Sequence, residues 1–321
     1  MGMSGNTVAI GGIHHVTAIA ADPQRNLDFY AGALGLRLVK RTVNFDDPGT
    51  YHLYYGDGGG TPGTIMTFFP WEGAPNGRIG AGQVITTAYS IPETSLGYWT
   101  QRLVEHGVRF EKPKGRFGDT VLAFEDPDGL RLEIVASDDR RVGYASGPVP
   151  AEHSIRGFHH AALAVRDAER TTKLITDHLG FRRVDEAENR VRLAAGDGGP
   201  GNLVDVIDAS GFPRGTTGVG TVHHIAFRVP DEGTHLAVRE EVDGLGYNVT
   251  EVLDRNYFKS IYFREPGGVL FEIATDAPGF DIDEPLLERG RALKLPPWLE
   301  PSREQIAAAL PPLRLDETTA A

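Results

Sequence analysis

Apolar and polar residues alternate along most of this chain in short runs, and glycine- and proline-rich turns separate the runs. That spacing predicts many short strands rather than a helical bundle. The first run is Gly12-Ile13-His14-His15-Val16-Thr17-Ala18-Ile19. Asp22-Pro23 follows, a helix cap with proline in the first turn. Leu27, Tyr30, Ala31 and Leu34 then recur at helical spacing until Gly35 stops the helix. Strands are predicted around Leu36 to Val43, Tyr51 to Tyr55 and Thr64 to Phe69, so the opening unit reads β-α-β-β-β.

The same order returns three times. A second unit starts near Gln83 to Ile91, carries a helix from about Glu93 to His106, and closes on Asp126-Pro127-Asp128-Gly129-Leu130-Arg131-Leu132-Glu133-Ile134. A third opens with Phe158-His159-His160-Ala161-Ala162-Leu163-Ala164-Val165, and its final strand is Leu203-Val204-Asp205-Val206-Ile207. A fourth opens with Val222-His223-His224-Ile225-Ala226-Phe227-Arg228-Val229 and ends on Glu265-Pro266-Gly267-Gly268-Val269-Leu270-Phe271-Glu272-Ile273. One βαβββ unit cannot cover its own sheet, so units must pair. The expected fold is therefore α+β, four βαβββ modules forming two half-barrel clefts. The expected division is an N-terminal pair of modules in 1–150, a C-terminal pair in 151–275, and a tail packed on the surface in 276–321.

Successive residues of a strand point to opposite faces. In the fourth unit Ile225, Phe227 and Val229 share the face of His223 and suit the helix-covered side, whereas His224 shares a face with small Ala226. The third unit repeats the pattern around His160. Alternation thus predicts that His15, His160 and His224 face the clefts and that His14 and His223 face away. The inward acids of the closing strands are Glu133, Asp205 and Glu272; the first unit has Met66-Thr67-Phe68 there and no acid. Taken singly, each histidine reads as a hydrogen-bonded core residue. Glu133, on the face of Arg131, reads as a solvated or ion-paired acid, and Asp205 as either a buried hydrogen-bonded acid or a remnant ligand. Pairing decides the chemistry. Units one and four together would gather His15, His224 and Glu272, two imidazoles and one carboxylate with open positions, which suits a non-haem Fe(II) site. Units three and four together would gather His160, Asp205, His224 and Glu272, a four-ligand set suited to polarising a substrate.

Composition narrows the partners. There are 32 Lys plus Arg against 44 Asp plus Glu, a formal net charge of −12, which argues against nucleic acid or an anionic membrane. No apolar stretch is long enough to span a bilayer, and Met1 to Val8 lacks the apolar core of a signal peptide. The cytoplasm is the expected location. Cysteine is absent, so a metal would be held by His, Asp or Glu. The Gly58-Gly59-Gly60 run lacks the lysine and helix of a phosphate loop and reads as a turn.

Several stretches in order resemble the vicinal-oxygen-chelate (glyoxalase/bleomycin resistance/dioxygenase) superfamily, and within it the ring-cleaving dioxygenases that act on hydroquinones. They are Ile13-His14-His15-Val16-Thr17, Val39-Lys40-Arg41-Thr42, Tyr51-His52-Leu53-Tyr54, Gly60-Thr61-Pro62-Gly63-Thr64, Arg116-Phe117-Gly118, Arg156-Gly157-Phe158-His159 and Tyr262 through Glu272. The resemblance implies an Fe(II)-dependent enzyme, with Mn(II) the other metal compatible with its site. It implies metal ligands His15, His224 and Glu272, hence the first-with-fourth pairing. It also implies near-metal roles for His14, His223, Arg255 and Tyr262, against the alternation reading of the two histidines, and leaves His160 as a buried structural residue. Tyr262 precedes Glu272 on the neighbouring strand, where its hydroxyl could reach the metal and shuttle a proton; Arg255 could hold an anionic phenolate. The expected partners are a small aromatic diol and O2, and the sequence is compatible with a homo-oligomer. The alternatives are a glyoxalase-like metal-dependent isomerase or lyase, which needs the third-with-fourth pairing, and a metal-free module that sequesters a small molecule.

Overall fold

A computed structural model describes residues 10–315; the stretch Met1 to Val8 and the last six residues lie outside them. The first module runs β1 (Ile13–Ala20), α1 (Pro23–Leu27) continued by a π-helical turn (Asp28–Ala33), β2 (Arg37–Asn44), β3 (Asp47–Gly56) and β4 (Ile65–Pro70). The second is β5 (Gln83–Pro92), α2 (Leu96–Glu105), β6 (Lys114–Arg116), β7 (Asp119–Glu125) and β8 (Arg131–Ser137). The third is β9 (Gly157–Val165), α3 (Ala168–His178), β10 (Arg182–Ala187), β11 (Arg190–Ala194) and β12 (Leu203–Asp208). The fourth is β13 (Thr221–Val229), α4 (Glu232–Gly244), β14 (Leu253–Asp254), β15 (Phe258–Arg264) and β16 (Leu270–Pro278). The Asp22 side chain caps α1 by accepting from the Arg25 N–H, and Asp167 and Asp231 cap α3 and α4 in the same way.

These strands form two eight-stranded sheets, β14-β15-β16-β13-β1-β4-β3-β2 and β10-β11-β12-β9-β5-β8-β7-β6. The fold is α+β, two curled half-barrels. The first sheet joins module one to module four, and the second joins module two to module three. Units three and four therefore share no sheet, and the four-ligand set His160, Asp205, His224 and Glu272 is not assembled. Each sheet is centred on an antiparallel pair of opening strands, β1 with β13 and β5 with β9. Each opening strand also pairs in parallel with the closing strand of its own module.

The outward-facing apolar rows predicted from alternation, Leu163 with Val165 and Ile225 with Phe227 and Val229, are fully buried in one continuous core shared by both sheets and the helices. Removing such rows from water is the main force that fixes strand register, because a one-residue slip would turn each row outward.

Residues beyond 276 do more than cover a surface. Phe280 and Glu284 are buried, and fully buried Lys40 of β2 is paired with Asp283 and Glu284. Phe280 packs with Tyr54 and Tyr257 in a small apolar cluster of the first half-barrel. No helix among the described residues is long and apolar enough to cross a membrane.

Candidate metal centre

The site begins with a defect in the ladder. Along β1, Ile13 faces Phe227 and His15 faces Ala226, so His14 is an extra residue without a partner of its own. Along β13, Thr17 faces His224 while Ala18 faces Val222, which makes His223 the extra residue there. A bulge of this kind breaks alternation and re-aims side chains. Both His14 and His15 therefore lie against Phe258, with ring centroids 5.1 Å away in each case. Alternation placed His14 and His223 on the far face; the bulges bring His223 to the cavity wall and set His14 beside His15.

The paired histidines then hold one another. His14 Nδ1 lies 2.9 Å from His15 Nδ1, and His223 Nδ1 lies 2.8 Å from His224 Nδ1. The Nε2 atoms of His15 and His224 meet 3.3 Å apart, each beside Glu272 Oε2 at 3.3 and 2.9 Å. Lone pairs on both Nε2 atoms require protons on both Nδ1 atoms, which donate to His14 and His223. Such outer partners fix a ligand's tautomer and ring orientation. Behind the acid, the Ser260 hydroxyl donates to Glu272 Oε1, leaving Oε2 turned toward the imidazoles.

His15, His224 and Glu272 are buried, and one ligand atom from each lies within 4.8 Å of the other two. Glu272 Oε2 is buried with no hydrogen-bond donor. Burial pushes the Glu272 carboxyl up, yet the two imidazoles beside it hold it well below the usual range. Burial holds His224 below the usual imidazole value and so keeps its lone pair free. A carboxylate oxygen and two imidazole Nε2 lone pairs aimed at one point repel unless a cation stands between them. Ions that bind nitrogen and oxygen at about 2.0–2.2 Å place ligands at right angles about 3 Å apart, which matches the 2.9–3.3 Å edges here. Two imidazoles and a carboxylate with open positions are the donor set of a non-haem iron facial triad. The residues present fit a divalent ion.

A cavity of about 370 Å³ opens over this trio. Its walls include Phe45, Phe69, Trp71 and Phe258, with Leu253 and Leu270. Tyr262 stands opposite Glu272 across the β15–β16 ladder, and its ring lies 5.7 Å from that of His224. Arg255 Nε donates to the Tyr262 hydroxyl at 3.3 Å, and its Nη2 pairs with Asp46 Oδ2 at 3.0 Å. Burial pushes the Tyr262 phenol well above its usual value, so it stays protonated. Burial brings the His223 imidazole down to about 3, so it stays neutral. The structure thus gathers His15, His223, His224, Arg255, Tyr262 and Glu272 around one cavity, with His14 behind His15.

Sequence reasoning did not pick out Ser260, His52, Thr67 or Asp46 as site residues. The readable signal was period-two spacing: Ser260 lies two residues before Tyr262, and His52 two before Tyr54.

The second half-barrel repeats the layout with different chemistry. By register, Thr67 faces Thr17, Glu133 faces Ala88, Asp205 faces Ala162 and Glu272 faces Ala226. Each is thus opposite the residue two beyond His15, Thr86, His160 and His224 respectively. The equivalent positions are His15, Thr67, His224 and Glu272 in one cleft, and Thr86, Glu133, His160 and Asp205 in the other. In the second cleft Arg116 holds Glu133 through two bonds of 2.7 and 3.0 Å. Arg192 and Arg190 hold Asp205 at 2.8–3.1 Å. His160 Nε2 lies 3.5 Å from both carboxylates, buried and without a hydrogen bond. Guanidinium groups supply the positive charge there, and Glu133 pairs with Arg116 rather than with Arg131, which lies near Glu125.

Known proteins carry the same architecture. A Bacillus subtilis (strain 168) protein provisionally named ring-cleaving dioxygenase MhqO is 48% identical over 308 residues, covering 95% of this chain and 97% of that one. The chlorohydroquinone/hydroquinone 1,2-dioxygenase of Sphingobium indicum is 36% identical over 306 residues, covering 92% and 95%. A crystal structure from Bacillus subtilis, provisionally described as a dioxygenase, superimposes with a TM-score of 0.93 at 47% identity over 96% of this chain and 99% of that one. Glyoxalase I from Zea mays shares the fold alone, with a TM-score of 0.62 at 17% identity, covering 83% and 92%. The family profile described as glyoxalase/bleomycin resistance protein/dioxygenase superfamily matches residues 12–134 and 157–273, one stretch for each pair of modules. The chain belongs to that superfamily.

Proposed function

We propose that this protein is an Fe(II)-dependent dioxygenase that opens the ring of an aromatic diol, a hydroquinone or substituted hydroquinone, with O2. The observation that carries the reading is the His15, His224 and Glu272 trio under an aromatic-walled cavity, with protein ligands on one side only. The names of the relatives support the same class of reaction. His15, His224 and Glu272 would hold the metal. When bound, Fe(II) would acidify a coordinated phenol and bring diol and O2 to one centre.

The chain's own groups have separate tasks. Phe69, Trp71 and Phe258 receive the ring and exclude water. The neutral Tyr262 hydroxyl donates a hydrogen bond to a substrate oxygen. Arg255, which keeps its charge beside Asp46 and Tyr262, offsets negative charge that develops on the substrate. His14 and His223 keep the ligand imidazoles in the tautomer that leaves Nε2 free.

Protein reconstituted anaerobically with Fe(II) should consume O2 in the presence of hydroquinone, methylhydroquinone, chlorohydroquinone or catechol and yield a ring-opened acid; parallel Mn(II) loading identifies the working metal. His224→Ala should lose both bound metal and oxygen uptake. Turnover without O2 consumption, or a His224→Ala variant with full metal content and full rate, would contradict the reading.

A further inference from the structure

The turn that ends β2 is held from two sides, and neither support belongs to the strands it joins. Asn44 pairs with Asp47 to close the β2–β3 hairpin, so Phe45 and Asp46 form its tip. Asn44, Phe45 and Asp46 all line the cavity above the trio. The Asp46 N–H donates to Asn44 Oδ1 at 3.0 Å, which fixes the shape of the turn. From module four, Arg255 pairs with the Asp46 carboxylate. From the chain beyond 276, Trp298 lies edge-on to Phe45, with ring centroids 5.6 Å apart. That tail is fastened along module one. The Lys294 N–H donates to the Arg41 carbonyl at 2.9 Å, Arg41 Nη2 donates to the Arg291 carbonyl at 2.7 Å, and the Tyr51 hydroxyl donates to the Pro311 carbonyl at 3.0 Å. Trp298 therefore reaches Phe45 on a segment bonded to β2 before it and to β3 after it. Exposure gives the direction. The trio is buried and Phe45 is half-buried, whereas Trp298 is 50% exposed and the Asp46 side chain 71%. Phe45 thus stands between the trio and solvent, at the outer end of the cavity.

We propose that Phe45, braced by Trp298, selects among diols by the bulk of the ring substituent. The inference rests on the diol reading given above and names the residues that sort its substrates. A diol that turns one oxygen toward the trio turns the far side of its ring toward the outer wall. A wall of packed rings yields little, so a group too large for the gap costs affinity while a smaller one does not. Trp298 lines no part of the cavity and acts through Phe45, as a positioning residue. Its edge-to-face contact limits where the Phe45 ring can swing. The C-terminal segment thereby takes part in substrate choice without touching substrate.

The experiment uses the full chain loaded with Mn2+ in the absence of O2, and compares hydroquinone with tert-butylhydroquinone by calorimetry. Phe45→Ala should raise the affinity for tert-butylhydroquinone relative to hydroquinone at least about fivefold over wild type. Should Phe45→Ala fail to fold, Phe45→Leu carries the same expectation. Trp298→Ala removes no lining residue, yet it should move the ratio in the same direction at least about twofold. Trp298→Phe keeps an edge-on ring and should leave the ratio at the wild-type value. The ratio is the decisive quantity, because lost folding or lost metal would weaken both ligands together. An unchanged ratio in the Phe45 variant, or a Trp298→Ala chain that weakens both ligands equally, would overturn the proposal. If wild type binds neither diol, the diol reading fails. Benzene against tert-butylbenzene, which carry no oxygen for a metal, then reads the same wall; an unchanged ratio there, or no binding of either, overturns the role of Phe45 as well.

Discussion

At the scale of single residues, the site depends on groups that never reach the cavity. Ser260 is one. Its hydroxyl donates to Glu272 Oε1 from a fully buried position, and this bond decides which carboxylate oxygen meets the imidazoles. Ser260→Ala removes that donor without changing the strand, so metal affinity should fall about 10–100-fold while the fold persists. Chelator competition, paired with a thermal melt of the metal-free protein, checks it; unchanged affinity would mean that the strand alone orients Glu272. The trio itself could be read from sequence because imidazoles and an acid recur at one place in a repeated unit. The placement of His14 and His223 beside His15 and His224 could not be read from alternation, because a bulge is a property of two strands in register and one strand's sequence does not reveal it. Ser260 was hidden for a simpler reason: a serine in a strand has no chemistry of its own until its neighbour is known.

At the scale of elements, the acid-Pro turns that ended units two and four in the sequence turn out to be fasteners between the sheets. Asp126 accepts from the N–H groups of Asp128 and Leu130 within its turn, and from the hydroxyl of Tyr30 in the helix of module one. Glu265 repeats this with Gly267, Val269 and Thr171 of α3. Each turn therefore binds the helix of a module that belongs to the other sheet. Burial pushes the Asp126 carboxyl up to about 7. A folded-state value above the unfolded one near 3.9 means stability that is complete below about pH 4 and is lost as pH rises through about 7. Between pH 5 and pH 8 wild type should lose about 2–3 kcal/mol from this group. Asp126→Asn keeps the shape and most of the hydrogen bonds but has no charge to bury, so its stability should change by less over that range. Urea midpoints at both pH values decide; parallel losses would show that Asp126 ionises freely in the fold. The repeated turns were plain in the sequence, whereas β10 was not foreseen. All six of its residues are exposed at a sheet edge, so neither face carries the apolar signal that marks a strand.

At the scale of the whole molecule, one layout serves twice and only the charges differ. The first cleft presents a carboxylate oxygen without a donor, Glu272 Oε2, beside the imidazoles of His15 and His224, a set that fits a cation. The second presents Glu133 and Asp205 already matched by Arg116, Arg190 and Arg192. Burial pushes Asp205 up, but His160, Arg192 and Arg190 hold it well below the usual carboxylate range. The second cleft is accordingly a brace between modules two and three. Arg192 is central to it: it bonds Asp205 from β11, reaches Asp119 at 3.1 Å across the cleft, and lies 4.5 Å over the Phe117 ring. Arg192→Met leaves Asp205 buried beside a single remaining guanidinium, and breaking a buried pair in this way costs about 3–5 kcal/mol. Arg192→Met combined with Asp205→Asn removes the charge along with its partner, so it should recover most of that loss. Metal content of the first cleft should stay at the wild-type level in both variants, because no ligand to the trio comes from the second sheet. Chemical denaturation with metal analysis separates the outcomes. If the single variant were no less stable than the double, the guanidinium would not be serving as the second cleft's cation, and the division of one fold into a metal half and an ion-paired half would not hold.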